Sequence, residues 1–277
     1  MLKIFLLLSI ICFAQFRSLE EKKKDLFEQT QFKYLKLRNR VFKGAMEEAG
    51  SWENGKLKEN IFKRYDELSK NEVGTIITGT LMVDSPPGFE DLCKIDDDAY
   101  IDEYKKLTNL VHKNGANIIA QLHTMRDNLD ISVDEIHKIV DLFADAAIRA
   151  KKAGFDGIEV CANHHVTLSQ FLSPMFNHRT DEYGGSDENR ARFVIEIIKK
   201  IREKIGNEYI ILLKINSEDD DPNGINQEGF ITACKLAEQS GVDMIEVTGM
   251  KWKKIEKINL SILKQEKFWL ISLKFQS

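Results

Sequence analysis

From about residue 41 onward the chain alternates between two hydrophobic rhythms. Short, nearly continuous apolar runs occur at Val41–Met46, Thr75–Thr78, Ile118–Leu122, Gly157–Val160, Ile210–Ile215 and Met244–Val247. Runs of this length without polar alternation predict strands covered on both faces, as in a parallel sheet. Between them the apolar positions switch to a 3.6-residue period. In Ser132–Ala150, Ile136, Val140, Phe143 and Ala147 fall on one face, and Ser132 with Glu135 forms a capping-box pattern. In Asp187–Ile205 the stripe is Phe193, Ile197, Ile201 and Ile205, with Ser186 as the predicted N-cap. A helix, a glycine and a strand then recur as NEVGTIITG, KNGANIIAQL, KAGFDGIEV and QSGVDMIEVTG. Gly74, Gly115, Gly154 and Gly241 stand where each helix needs a left-handed C-terminal cap. Strand alternating with helix predicts an α/β fold, and right-handed crossovers leave either a barrel or an open sheet.

Composition narrows the class only a little. The 277 residues are 43% hydrophobic and carry a formal charge of −4. A sizeable core is affordable at that length, and neither nucleic acid nor an acidic surface is indicated as a partner. Cys12, Cys93, Cys161 and Cys234 are far apart with no CxxC pair, which points away from a zinc site or a disulfide framework. At the N-terminus, a lysine, an apolar run from Ile4 to Phe13 and Ala14 have the pattern of a secretory signal peptide. The run is too short to span a membrane, and a first helix or strand would read the same way.

The densest motif lies between Gly154 and Arg192: GFDGIEVCANHHVTLSQFLSPMFNHRTDEYGGSDENRAR. The segments Gln170–Pro174 (QFLSP) and Asn177–Arg192 (NHRTDEYGGSDENRAR) resemble the flavin-dependent ene-reductases of the Old Yellow Enzyme, or NADH:flavin oxidoreductase, family. The resemblance begins near Asp25 and runs to Gly249. It implies a (β/α)8 barrel with FMN at the carboxyl end of the strands and NAD(P)H as reductant. The expected substrate is a small α,β-unsaturated carbonyl compound, with a homo-oligomer left open. It also implies a cytoplasmic protein, the alternative being the secretory pathway if Met1–Ala14 is a signal peptide. The chain then divides into an extension over residues 1–24, a partial barrel over 25–250 and an atypical tail over 251–277. Six strands are legible, and the tail shows no glycine-punctuated strand, so the expectation is an incomplete barrel of about six of the eight units. The connection from Gln121 to Ser132 is also shorter than the resemblance leads one to expect.

The resemblance assigns roles residue by residue. Ala45, Met46 and Glu47 would lie against the flavin through their backbone, and Gly79 and Thr80 would end the second strand beneath the ring. Gln121 would end the third strand and meet the pyrimidine edge. Lys214 would end the fifth and meet negative charge on the reduced ring. Relatives grip the substrate carbonyl with His-x-x-His or His-x-x-Asn and follow with Gly-Tyr, whose tyrosine protonates the α-carbon. Here the run is Cys161-Ala162-Asn163-His164-His165-Val166. Cys161 is a weak donor, His164 is retained, and Val166 cannot transfer a proton. His165 is the remaining candidate acid, set against the alternative of an exposed loop histidine. Asn177, Arg179, Asp181 and Tyr183 read as a loop brace. A truncated, non-catalytic relative without its FMN phosphate site is the rival reading, and on either reading the purified chain is expected to be colourless or only partly loaded with FMN. A non-flavin barrel leaves the QFLSP–YGGS run unexplained.

Overall fold

The computed structural model describes residues 27–48, 52–53, 56–85, 92–126 and 129–249, together with the backbone of strand 268–271. A hairpin of β1 (Thr30–Phe32) and β2 (Leu35–Leu37) leads to the short β3 (Phe42–Lys43), and β4 (Trp52–Glu53) pairs with β5 (Lys56–Leu57). Helix α1 (Glu59–Lys70) precedes β6 (Thr75–Met82). Helix α2 (Ile101–Lys113) precedes β7 (Asn117–His123), and α3 (Val133–Lys152) precedes β8 (Gly157–Ala162). After β8 come α4 (Thr167–Leu172) and α5 (Asp187–Ile205), then β9 (Ile210–Asn216), α6 (Gln227–Gln239), β10 (Met244–Thr248) and β11 (Phe268–Ile271).

Seven of these strands make one sheet in the order β11-β10-β9-β8-β7-β6-β3, and every neighbouring pair is parallel. Each βαβ step runs in chain order, so the architecture is an incomplete (β/α) barrel wall. The sheet is buried on both faces, as the apolar runs predict. Ile76, Ile118, Leu122, Ile158, Val160, Ile211, Leu213, Ile245 and Val247 face the helices. The alternate positions Ile77, Ile119, Ile210, Leu212 and Met244 meet Phe32, Leu35 and Leu37 of the β1–β2 hairpin, which closes the amino-terminal end of the interior. Helix α3 packs on α5, and α5 on α6, through the stripes read from sequence. Ser132 and Ser186 accept from the backbone N–H of Glu135 and Asn189, each cap worth about 1 kcal/mol.

Several expectations need correction. The strand expected over Val41–Met46 is only the two-residue β3, so Ala45, Met46 and Glu47 follow it outside any strand. Strand β6 continues to Met82, which puts Gly79 and Thr80 inside it, at a register shift between Ile77 and Thr80. Gln121 and Lys214 each stand two residues before their strand's end, because β7 and β9 continue to His123 and Asn216. The tail does contain a strand: β11 lies parallel to β10, with Met244 opposite Phe268. No glycine announces it, since β-pairing to an existing edge needs only an extended backbone. Gly115, Gly154 and Gly241 are left-handed, at φ 78°, 85° and 104°. Gly74 is not a cap of that kind. A Cβ there would stand 2.2 Å from Asn39 Oδ1, and the left-handed residue is Glu72 at φ 66°. The signal-peptide pattern and the rest of the tail lie outside the described residues.

Candidate functional site

Strand alternation carries the interior positions upward in layers above the apolar plug. Two residues beyond Ile119, Gly157, Leu212 and Met244 come Gln121, Glu159, Lys214 and Glu246, all at most 3% exposed. Register sets them side by side: Gln121 opposite Glu159, and Lys214 opposite both Cys161 and Glu246. Gln121 Nε2 donates to Glu159 Oε2 at 2.7 Å, and Lys214 Nζ is 2.7 Å from Glu246 Oε1. Two acids and one base in a dry layer cannot all be charged without cost. Burial, reinforced by Glu246, raises the Glu159 carboxyl well above its ordinary range. For Lys214, burial lowers the pKa but the Glu246 and Glu159 carboxylates outweigh it, and the ammonium stays charged.

One layer nearer the mouth are His123, Cys161, Asn216 and Thr248. His123 is 4% exposed, its Nδ1 has no partner among the described residues, and burial pulls its pKa down to about 4. The Cys161 thiol is pushed up to about 12 by burial and donates to Asn163 Oδ1 at 3.1 Å. It is therefore a protonated thiol turned to its own loop. Just beyond β8, His164 and His165 are both left-handed, at φ 52° and 57°. His164 N–H donates to Asn216 Oδ1 at 3.2 Å, its Nδ1 meets Asn163 Nδ2 at 2.5 Å and its Nε2 lies 3.3 Å from Thr248 Oγ1. Since an amide nitrogen can only donate, Nδ1 is an acceptor and the ring proton sits on Nε2. His165 packs edge-on to Phe176, ring centroids 4.9 Å apart, with Nε2 3.4 Å from Asp219 Oδ1.

On the other flank, Met46 is 53% exposed while Ala45 packs against the interior cluster. Glu47 accepts from Thr80 Oγ1, and a Cβ on Gly79 would stand 2.7 Å from Met46 O, so that close approach requires glycine. The structure thus gathers Gln121, Lys214, Cys161 and His164 at one end of the sheet. Sequence reasoning missed Glu159, Glu246, His123, Asn216, Thr248 and Asp219. A signal for two of these exists: a single Glu interrupts each of the apolar runs GIEV and MIEV. Lys43 was missed as well. Its Nζ donates to Ile77 O at 3.2 Å, and burial lowers its pKa to about 8. The long loop is the brace expected: Arg179 pairs with Asp181 and donates to Leu129 O and Ile131 O, both at 2.8 Å. Tyr183 is fully buried, and its hydroxyl donates to Glu196 at 2.8 Å.

The profile of the NADH:flavin oxidoreductase / NADH oxidase family matches residues 25–130 and 126–254. The chain belongs to this family. Among its curated relatives, the metal reductase of Desulforamulus reducens is 32% identical over 249 residues, covering 81% of this chain and 37% of that protein. The NADH oxidase of Thermoanaerobacter brockii is 31% identical over 252 residues, covering 81% and 39%. The chain therefore spans under two fifths of the length of these relatives. Two solved structures share its fold. Morphinone reductase in complex with tetrahydroNAD superposes with a TM-score of 0.70 at 25% identity, over 81% of this chain and 74% of that one. An old yellow enzyme homologue from Zymomonas mobilis gives 0.71 at 22%, over 81% and 73%.

The family's cofactor is FMN, and the residues present suit the ring half of it. A flavin pyrimidine edge both donates and accepts. Gln121 offers an amide oxygen beside its committed nitrogen, and Lys214 keeps two further N–H bonds after meeting Glu246. The unpartnered His123 Nδ1 stands one layer above Gln121, a buried polar atom of the kind a ligand would satisfy.

Proposed function

We propose that this chain supplies the flavin-ring and substrate side of an FMN-dependent oxidoreductase that uses NAD(P)H to reduce a small α,β-unsaturated carbonyl compound. The observation that carries the reading is the buried layer that holds both Gln121 of β7 and Lys214 of β9, on either side of β8 and near the carboxyl ends of their strands. Bound FMN would take hydride from NAD(P)H and pass it to the β-carbon. Gln121 orients the ring's pyrimidine edge, and the backbone from Ala45 to Glu47, with Gly79 and Thr80, forms the adjoining wall. Lys214 would supply a fixed positive charge to meet the negative charge that develops on the reduced ring. His164 Nε2–H, now turned to Thr248, donates to the substrate carbonyl. Cys161 backs this arrangement by holding Asn163, and does not itself grip the carbonyl. Val166 has no proton to give, so His165 becomes the donor to the α-carbon.

The experiment is an FMN titration of the purified chain followed by anaerobic NADH or NADPH addition. Saturable quenching of flavin fluorescence and bleaching of its visible band are expected, both weakened in Gln121→Leu and Lys214→Met. Free-flavin behaviour throughout rejects the reading.

A further inference from the structure

His165 has a second partner built for it. Its side chain is 28% exposed, yet the Nε2 atom is sealed from solvent and makes no aligned hydrogen bond among the described residues. It stands 3.4 Å from Asp219 Oδ1, on a carboxylate that is fully buried. That carboxylate is fixed from several sides. Asp219 N–H donates to Ile225 O at 3.0 Å, and Oδ2 accepts from Ile225 N–H at 3.0 Å. Oδ1 faces Asn216 Nδ2 at 3.4 Å, and Asn216 in turn accepts from His164 N–H. A Cβ on Gly224 would stand 2.4 Å from Asp219 Cβ, so the loop closes on this aspartate only with glycine there. Phe176 fixes the imidazole plane from the other side. Two consecutive left-handed histidines are strained, and persist only where the surroundings determine them.

We propose that Asp219 is the positioning residue for His165. It holds the Nε2–H of the imidazole, which leaves Nδ1, on the solvent-reaching part of the ring, as the atom that gains and releases the proton. The nitrogen that meets the fixed partner sets which one is free to act. Apo contacts between an acid and its positioning group are often long and tighten on binding. The inference rests on the reading that His165 supplies the α-carbon proton. After protonation of the carbon the imidazole is neutral with its hydrogen on Nε2, and Nδ1 recovers a proton from water. The groups beside the ring are Asp219 from the β9–α6 loop, flanked by Glu218 and Asp220, and His164 on its own loop. The α4–α5 loop presents the uncharged Phe176, with His178 two residues on.

The test is a pH titration of the full chain labelled with 15N-histidine, followed by long-range 1H–15N correlation, with the His165 signals assigned by their loss in His165→Gln. Neutral His165 is expected as the Nε2–H tautomer. Its Nε2–H proton signal is expected downfield and slow to exchange, held by the buried carboxylate, and Asp219→Asn should move it upfield. An Nδ1–H tautomer in the wild-type chain overturns the proposal. So does an Nε2–H signal that folded Asp219→Asn leaves unmoved. Should Asp219→Asn fail to fold, the wild-type tautomer alone decides. These signals need no flavin, so failure to bind FMN or oxidise NADH would count against the proposed function and not against this pairing. In FMN-loaded chain, Asp219→Asn should lower enone turnover by about tenfold or more and leave NADH-driven flavin bleaching unchanged. Enone turnover at the wild-type rate overturns the proposal.

Discussion

At the scale of single residues, the 161–166 segment has been rewired around two imidazoles. His164 has both ring nitrogens engaged within the protein, whereas His165 has one nitrogen sealed and the other side of its ring reaching solvent. General acids contribute on the order of 10²–10⁴ in rate. His165→Asn, which tolerates left-handed backbone, is therefore expected to lower enone turnover by about that factor, with flavin bleaching by NADH unaffected. Adding Val166→Tyr in the same chain should recover part of the loss, read in the same steady-state assay. Unchanged turnover in His165→Asn would assign the proton to water. The sequence shows which acid is missing at position 166, but not what replaces it. Asp219 lies 54 positions beyond His165, and only the crossover through α5 and β9 brings them together.

Among the elements, those with strong local signals were legible. Helices α3 and α5 carry caps and stripes, and the strands after Gly115, Gly154 and Gly241 begin where the glycines predict. What was not legible depends on partners distant in sequence. The two-residue β3 and the edge strand β11 exist by pairing with neighbours, and the Glu159–Lys214–Glu246 layer emerges only when three strands are in register. The loop before α5 separates two kinds of glycine requirement. At Gly184 a Cβ would stand 2.1 Å from Arg179 O, while Gly185 has open space but φ 86°. Gly185→Ala should therefore cost about 1–2 kcal/mol in urea unfolding. Gly184→Ala should cost more and speed amide exchange over residues 177–186, because the obstructing atom is backbone. Equal costs would mean that the loop yields as easily as the dihedral.

For the whole molecule, the buried neutral His123 sets an acid limit. Its folded pKa of about 4 lies below the unfolded value of about 6.5, so unfolding takes up a proton between the two. The stability it protects is complete above about pH 6.5 and lost as pH falls toward 4, an effect of up to about 3 kcal/mol. His123→Gln should flatten the urea midpoint across that window. An unaltered pH dependence would mean that His123 is hydrated in the native state. Glu159 acts with opposite sign, since its raised pKa favours the fold at low pH and weakens it as pH rises. No described helix is long and apolar enough to cross a membrane.

The hairpin that plugs the interior also dictates a timetable. Lys33, at its tip, forms an ion pair with the buried Asp243, which Arg202 holds at 2.8 Å beside the start of β10. The partners are 210 positions apart, so β1 and β2 must wait for β9 and β10 before the set of apolar side chains they dock on is complete. Closing so long a loop is an entropic cost met late, after the intervening βα units have condensed. Contacts absent from the transition state act on unfolding alone. Lys33→Ala is thus expected to leave the refolding rate near wild type in stopped-flow experiments while accelerating unfolding. Until β9 and β10 are made, Phe32, Leu35 and Leu37 are apolar surface of the kind a chaperone covers.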